Sequence, residues 1–301
     1  MLQGKAGIVT GAGRGIGRAI ALGLAQAGAA VVVNDLAPAD DSGERPADQV
    51  VAEIRAAGGQ AAANFDSVAD WDAAHAMVQQ AVDTFGRLDF VVNNAGVVRD
   101  VIFHKMTEQQ WDDVINVHLK GAFCVTRAAA GVLRAGGGGA IVNMTSTSGI
   151  VGSLGQVNYA TAKLGLVAFT RGVALDMQRF GVRANAIAPF AWTEMTASIP
   201  ERPDPVSQRR RAHLQSTRPE HIAPLVVFLV SDAAAEVNGQ TFVSRGDEVG
   251  LFAPPQPLRS IQRSGGWTPE ALADVLPASF GPSFVPLRVT ADLYGYDPLV
   301  R

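Results

Sequence analysis

The chain has 301 residues, 48% of them hydrophobic, and a formal net charge of −3. That composition supports one sizeable core, so one large α/β domain is expected rather than two small ones. The faintly acidic balance, with no basic stripe, excludes an electrostatic grip on nucleic acid. The strand AGIVTG starts within a few residues of Met1, leaving no room for a signal peptide. It is followed by the helix GIGRAIALGLAQAG, ended by Gly28, and by the strand AAVVVND. PADQVVAEIRAAGG is a helix with proline in its first turn and glycines at its end. The strand AAANFD and the helix WDAAHAMVQQAVDTFG come next, then the strand LDFVVNNAG and a long helix through 107–135. The strand GGAIVNMTS, a helix holding Tyr159, the strand VRANAIAP, a helix near 219–231 and the strand GQTFVSRG complete the alternation. Apolar strands alternating with helices predict a parallel sheet covered on both faces, a doubly wound (Rossmann) α/β fold whose ligands bind at the carboxyl ends of the strands.

Two segments break the alternation. Residues 190–216 read as irregular, with Pro200, Pro203 and Pro205, and are expected to form a substrate loop. Residues 250–301 are proline-rich and read as a C-terminal extension of a catalytic domain spanning 1–249. This extension is expected to pack on the core or on a neighbouring subunit. Thr268 and Pro269 mark a helix start within it.

No apolar run is long and unbroken enough to cross a bilayer, which needs about 20 residues. Cys124 is the single cysteine, so neither an internal disulfide nor a cysteine metal cluster can form. It sits in the apolar stretch GAFCVTRAA and reads as a buried structural thiol. The five histidines are scattered without paired-ligand spacing, so no metal is expected; His118 reads as a core or interface residue. These features predict a soluble cytoplasmic protein with no membrane or nucleic-acid partner. The cationic run QRRRAH at 208–213 is either a solvated helix face or a clamp for an anionic substrate.

TGAGRGIG, residues 10–17, lies between the first strand and the first helix. Gly11, Gly13, Gly15 and Gly17 let the backbone turn tightly and approach a ligand. The helix N-terminus adds free N–H groups and a positive dipole end suited to a pyrophosphate. Arg14 and Ile16 belong to the same cofactor-binding set. Asp35 ends the second strand, where a carboxylate accepts hydrogen bonds from ribose hydroxyls and repels a 2′-phosphate. NAD is therefore the expected cofactor, although Arg14 offers a contact to the 2′-phosphate of NADP.

Tyr159 and Lys163 in YATAK are four residues apart and face the same way on a helix. A phenol, with an ordinary pKa near 10, needs a nearby cation to act as a base near neutrality. Lowering it by two or three units asks for roughly 3–4 kcal/mol.

The motifs together resemble those of the short-chain dehydrogenases/reductases: TGAGRGIG, NNAG at 93–96, Asn116 in INVHLKG, Ser146 in VNMTSTSG and the YATAK pair. Ser146 precedes Tyr159 by thirteen residues, as the family pattern requires, and the match covers about residues 5–245. The resemblance implies that Tyr159 is the general acid/base and that Lys163 bonds the nicotinamide ribose. It implies that Ser146 holds the substrate oxygen and that Asn116 anchors a water in a proton relay. It places Asn93, Ala95 and Gly96 along the cofactor, Asp66 or the Ser67 backbone at the adenine, and Pro189 with Thr193 beside the nicotinamide. It also implies a homo-oligomer, a tetramer or dimer, built on the helices near 107–135 and 157–180.

Within the family, VVVNDL and the stretch VVNNAGVVRDVIFHKMTEQQWDDVINVHLKGAF resemble the (3R)-hydroxyacyl-CoA dehydrogenase part of the peroxisomal multifunctional β-oxidation protein, a group that also oxidises 17β-hydroxysteroids. Pro189–Phe190 replaces the commoner proline–glycine. Phe190, Trp192, Met195 and Ile199 are expected to line an apolar pocket, with Arg209, Arg210 and Arg211 available to CoA phosphates. The expected substrate is thus a bulky apolar secondary alcohol or ketone, either a 3-hydroxyacyl-CoA or a 17β-hydroxysteroid. An NADPH-dependent 3-oxoacyl reductase is the alternative, and a non-catalytic nucleotide-binding scaffold a remote one.

Overall fold

The computed structural model describes residues 1–39, 43–197 and 205–299. Ile199, Pro200 and Pro203, expected in the substrate loop, lie outside them, and the side chains of Met195 and Arg210 are likewise not described. The first half of the chain alternates β1 (Ala6–Thr10), α1 (Gly15–Gln26), β2 (Ala30–Asn34), α2 (Pro46–Ala56), β3 (Gln60–Asn64) and α3 (Trp71–Phe85). β4 (Phe90–Asn93) leads to α4 (Glu108–Ile115), a π turn (Asn116–Lys120) and α5 (Gly121–Ala135). β5 (Gly139–Met144) leads to the short α6 (Thr147–Ile150) and to α7 (Val157–Met177). Then come β6 (Val182–Phe190), α8 (Glu194–Ala197), α9 (Pro205–Ser216), α10 (Ala223–Val230), β7 (Thr241–Arg245) and β8 (Glu248–Leu251). The extension holds α11 (Pro269–Phe280) and α12 (Thr290–Leu293).

The sheet runs in the order β3-β2-β1-β4-β5-β6-β7-β8. The pairs from β3 through β7 are parallel, and β8 is antiparallel to β7. Chain order reverses between β1 and β4, which opens a crevice at their carboxyl ends. On one face Ile20 and Leu24 of α1, Ile54 of α2 and Val226 and Leu229 of α10 pack on Val31, Val33 and Val92. On the other, Met77 of α3, Val125 and Leu133 of α5 and Ala174 of α7 pack on Ile8, Val32 and Ile141. Burial on both faces explains why the strands read as unbroken apolar runs. Phe90 is fully buried because Gly7, beside it in β1, has no Cβ; one built there would stand 2.1 Å from the ring.

The helix expected through 107–135 is present as α4, the π turn and α5 in unbroken succession. One expectation needs correction. Residues 190–216 are not irregular throughout, since α9 occupies their second half. α9 lacks an apolar stripe, so hydrophobic periodicity could not reveal it.

Candidate active site

The glycine loop is fixed to the end of β4 by side chains reaching across the crevice. Thr10 Oγ1 accepts from the backbone N–H groups of Asn94 and Ala95, both at 3.0 Å. Asn94 Nδ2 donates to the carbonyls of Thr10 and Gly11, both at 2.9 Å. Gly11 adopts φ 61°, and a Cβ on it would stand 2.7 Å from Ala95 Cα. A Cβ on Gly17 would stand 2.1 Å from the Gly11 carbonyl oxygen, so α1 can start directly on the loop only with glycine there. Its first turn carries no acidic side chain. The result is a close backbone cradle at a helix N-terminus, which fits a pyrophosphate.

Asp35 sits at the mouth of the cradle. Its Oδ2 accepts from Gly13 N–H at 2.8 Å and its Oδ1 from Ala37 N–H at 2.9 Å. Each carboxylate oxygen has a second lone pair for a ribose hydroxyl. Asp66 bonds Asn64, whose Nδ2 donates to Asp66 Oδ2 at 2.8 Å, and Ser67 Oγ accepts from Ala69 N–H. On the far side, Thr193 reaches the glycine loop: a Cβ on Gly15 would lie 3.4 Å from its Cγ2. Asn93 points its side chain inward, donating to Thr126 Oγ1 at 2.9 Å and Asn143 Oδ1 at 2.7 Å, so only its backbone is left for the cleft.

α7 begins at a buried anchor that the sequence reading did not single out. Asn158 Nδ2 donates to the carbonyls of Arg99 and Gln110, and Asn158 Oδ1 accepts from Tyr159 N–H at 2.8 Å. Tyr159 follows, and Ser146 is near enough to lower the pKa of its hydroxyl. Ser146 in turn caps α6, its Oγ accepting from Ser148 N–H at 3.1 Å. Lys163 is 4% exposed, and its Nζ lies 5.5 Å from the centre of the Tyr159 ring. Nζ donates to the Met144 carbonyl at 2.6 Å, at the end of β5. Tyr159, Lys163 and Ser146 are thus gathered at the carboxyl edge of the sheet.

A family model described as enoyl-(acyl carrier protein) reductase matches residues 11–246. The hydroxyacyl-CoA dehydrogenase ChsB1 of Mycobacterium tuberculosis is 43% identical over 284 residues, 91% of this chain and 88% of that one. The peroxisomal multifunctional enzyme type 2 of Mus musculus is 40% identical over 277 residues, 90% of this chain and 36% of its own length. The crystal structure of a short chain dehydrogenase from Mycobacterium avium superposes with a TM-score of 0.84 at 40% identity, covering 96% of this chain and 98% of that one.

The chain belongs to the short-chain dehydrogenase/reductase family. The nicotinamide cofactor that membership implies fits the cradle described above. Burial acts on both members of the short-chain dehydrogenase pair: it pushes the Tyr159 phenol up to about 12, against a lowering hydrogen bond from Ser146, and pushes Lys163 down to about 7. Each group buried by itself resists its charge.

Asn116 makes no direct hydrogen bond to the pair. It lies exposed on the π turn, and among the described residues no hydrogen bond joins its side chain to Tyr159, Lys163 or Ser146. Its neighbour His118, two residues on, is the one that packs against Tyr159. His118 is 2% exposed, with Nε2 2.7 Å from the Val97 carbonyl oxygen. Burial, reinforced by the Lys163 charge, holds its pKa well below the ordinary value. Gly96 makes room for it, since a Cβ there would stand 2.2 Å from His118 Cε1.

Of the arginine run, Arg211 lies over the Trp192 ring at 4.9 Å, and Arg209 is exposed. Among the described residues no cluster of histidine, cysteine, aspartate or glutamate is arranged to hold a metal ion. No described helix is long and apolar enough to cross a membrane.

Proposed function

We propose that the chain is an NAD-dependent dehydrogenase that interconverts the secondary alcohol and ketone of a bulky apolar substrate, a 3-hydroxyacyl-CoA. The observation that carries this reading is the Tyr159–Lys163 pair, half-buried Tyr159 beside buried Lys163 and within the influence of Ser146, at the carboxyl edge of a sheet whose glycine cradle ends in Asp35. The cradle at 11–17 holds the pyrophosphate, with Arg14 and Ile16 beside it. Asp35 takes the adenosine ribose, and Asp66 or Ser67 the adenine. The backbone of Asn93, Ala95 and Gly96 runs along the cofactor. Pro189 and Thr193 flank the nicotinamide.

Bound NAD⁺ supplies the hydride acceptor and a positive ring. Ser146 holds the alcohol oxygen by hydrogen bond, and Tyr159 takes its proton. Lys163 bonds the ribose hydroxyls and stabilises the phenolate. A phenolate and an ammonium that each resist burial stabilise one another when both are charged, and they titrate as a pair. His118 fixes the Tyr159 ring from the side, and Asn116 anchors a water in the proton relay.

The substrate class is supported by the relatives named for hydroxyacyl-CoA and multifunctional activity. Phe190 ends β6 and Trp192 follows it, as apolar surface for an acyl chain. Arg209 is available to a CoA phosphate, whereas Arg211 is engaged with Trp192. The exposed apolar side chains Phe123 of α5 and Val157, Leu164 and Leu175 of α7 support a homo-oligomer, a tetramer or dimer, built on those helices. The single buried thiol supports a reducing cytoplasm.

The test follows NADH formation by the purified protein with NAD⁺ and either a (3R)-hydroxyacyl-CoA or 17β-estradiol, each repeated with NADP⁺. Turnover of the thioester with NAD⁺ is expected. Turnover of the steroid alone would make the protein a hydroxysteroid dehydrogenase, and preference for NADP⁺ would favour the reductase reading.

A further inference from the structure

A row of buried polar side chains crosses the sheet from β4 to α7. Asn93 of β4 and Asn143 of β5 are paired in register. Asn93 Nδ2 donates to Asn143 Oδ1 at 2.7 Å and to Thr126 Oγ1 of α5 at 2.9 Å, so both amide hydrogens are used. Asn143 Nδ2 donates to Thr170 Oγ1 of α7 at 2.8 Å, and the Thr170 hydroxyl donates to the Leu166 carbonyl at 2.7 Å. The donors between the strands and α7 all point towards α7. Turning the Asn93 amide over would oppose its oxygen to Asn143 Oδ1. The row therefore starts on an acceptor, Asn93 Oδ1, which is buried and has no hydrogen-bond partner among the described residues.

A second buried acceptor faces the same small space. His118 Nε2 lies 2.7 Å from the Val97 carbonyl oxygen and 3.1 Å from the Val97 nitrogen. Two lone pairs do not approach so closely without a hydrogen between them, so Nε2 carries the proton and donates to the carbonyl. Burial and the Lys163 charge both oppose a second proton, so the ring is neutral. Nδ1 is then a bare lone pair, and it too has no partner among the described residues. Asn93 and His118 both line a cavity of about 10 Å³, together with Val68, Val117, Ala122 and Leu166. That is about the volume that one water needs.

We propose that this cavity binds one water molecule, which donates one hydrogen to Asn93 Oδ1 and the other to His118 Nδ1, and that the bridge makes His118 a positioning residue for Tyr159. This rests on the reading of Tyr159 as the acid/base. Two acceptors face one molecule with two hydrogens, so both are satisfied. The bridge closes a circuit from α7 through β5 and β4 to the π turn. His118 returns it to α7 by its contact with Tyr159, ring centres 5.2 Å apart. The imidazole is pinned at both nitrogens, by Val97 and by the water, and the Tyr159 ring takes its place from it. The row ends on the Leu166 carbonyl and contains no titratable group besides the neutral imidazole, so it holds position and does not conduct protons. It is thus separate from the relay water assigned to Asn116.

The experiment joins a high-resolution crystal structure of the full-length protein, the NMR spectrum of its ¹⁵N-labelled histidines, and the kinetics of His118→Phe. One water is expected within hydrogen-bond distance of both His118 Nδ1 and Asn93 Oδ1. A dry site, or a water touching only one of them, would overturn the bridge. The spectrum is expected to show His118 neutral with its proton on Nε2, and a proton on Nδ1 would also overturn it. His118→Phe keeps a ring against Tyr159 and removes both nitrogens. Its kcat falls about tenfold or more, while the dissociation constant for NADH stays the same. The kcat–pH profile keeps its shape, because a neutral imidazole contributes no limb. An unchanged kcat would mean that ring packing alone places Tyr159, and a limb lost with the imidazole would make His118 a proton carrier; either result overturns the positioning role. If His118→Phe does not fold, the water and the tautomer decide. If the unaltered chain turns over no hydroxyacyl-CoA, the substrate reading fails, and the same two observations still decide the bridge.

Discussion

His118 stands edge-on to Tyr159, with ring centres 5.2 Å apart and planes at 86°. This T-shaped contact fixes the ring of the proposed acid/base from one side, while Lys163 lies over its face at 5.5 Å. His118 is in turn held by Val97 and fits only because residue 96 is glycine.

Gly96→Ala therefore drives a methyl group into the imidazole. The neighbour is a fully packed ring with no flexible end to swing aside, so overpacking costs about 1–3 kcal/mol of stability. The displaced His118 disturbs Tyr159, and kcat falls more than cofactor affinity. A thermal melt and steady-state kinetics of the variant check both. An unchanged melting temperature and kcat would mean that the contact is slack.

Lys163 makes stability depend on pH. Burial lowers it from its ordinary 10.5 to about 7, so between those values the unfolded chain carries a proton that the folded one does not. Its contribution to stability is fully present above about 10.5, declines as pH falls, and is lost once pH drops below about 7. Replacing it by methionine removes that slope. Denaturant unfolding of the protein and of Lys163→Met at several pH values should show curves that diverge as pH rises through this window. Parallel curves would mean that the ammonium is solvated.

Asp35→Ser tests cofactor choice. The carboxylate takes backbone donors from Gly13 and Ala37 and keeps lone pairs for a ribose hydroxyl. Removing it lifts like-charge repulsion from a 2′-phosphate, so the kcat/KM ratio of NADP⁺ to NAD⁺ rises by roughly tenfold or more. A ratio that stays put would mean that the acid is only a turn residue.

What was legible in the sequence was what local spacing encodes. The strand–glycine–helix context pointed to the cradle, Asp35 was read from the end of its strand, the four-residue spacing paired Tyr159 with Lys163, and the family resemblance added Ser146. His118 escaped notice because a π turn runs through Asn116–Lys120, and there helical periodicity does not tell which side chain faces α7. Asn158 escaped notice because its partners, Arg99 and Gln110, lie far away in sequence. The place of the extension was hidden for the same reason. Proline-rich and aperiodic, it is held by Gly152, Phe190 and Arg245, distant residues whose role appears only when the chain is folded.

The central claim is that Tyr159 moves the proton, and Tyr159→Phe tests it most directly. The measurement is NADH formation from a (3R)-hydroxyacyl-CoA, paired with the dissociation constant for NADH. The account predicts turnover by the unaltered protein, a loss of about 10²-fold or more in the variant, and NADH binding unchanged. A variant that turns over at the unaltered rate would contradict it.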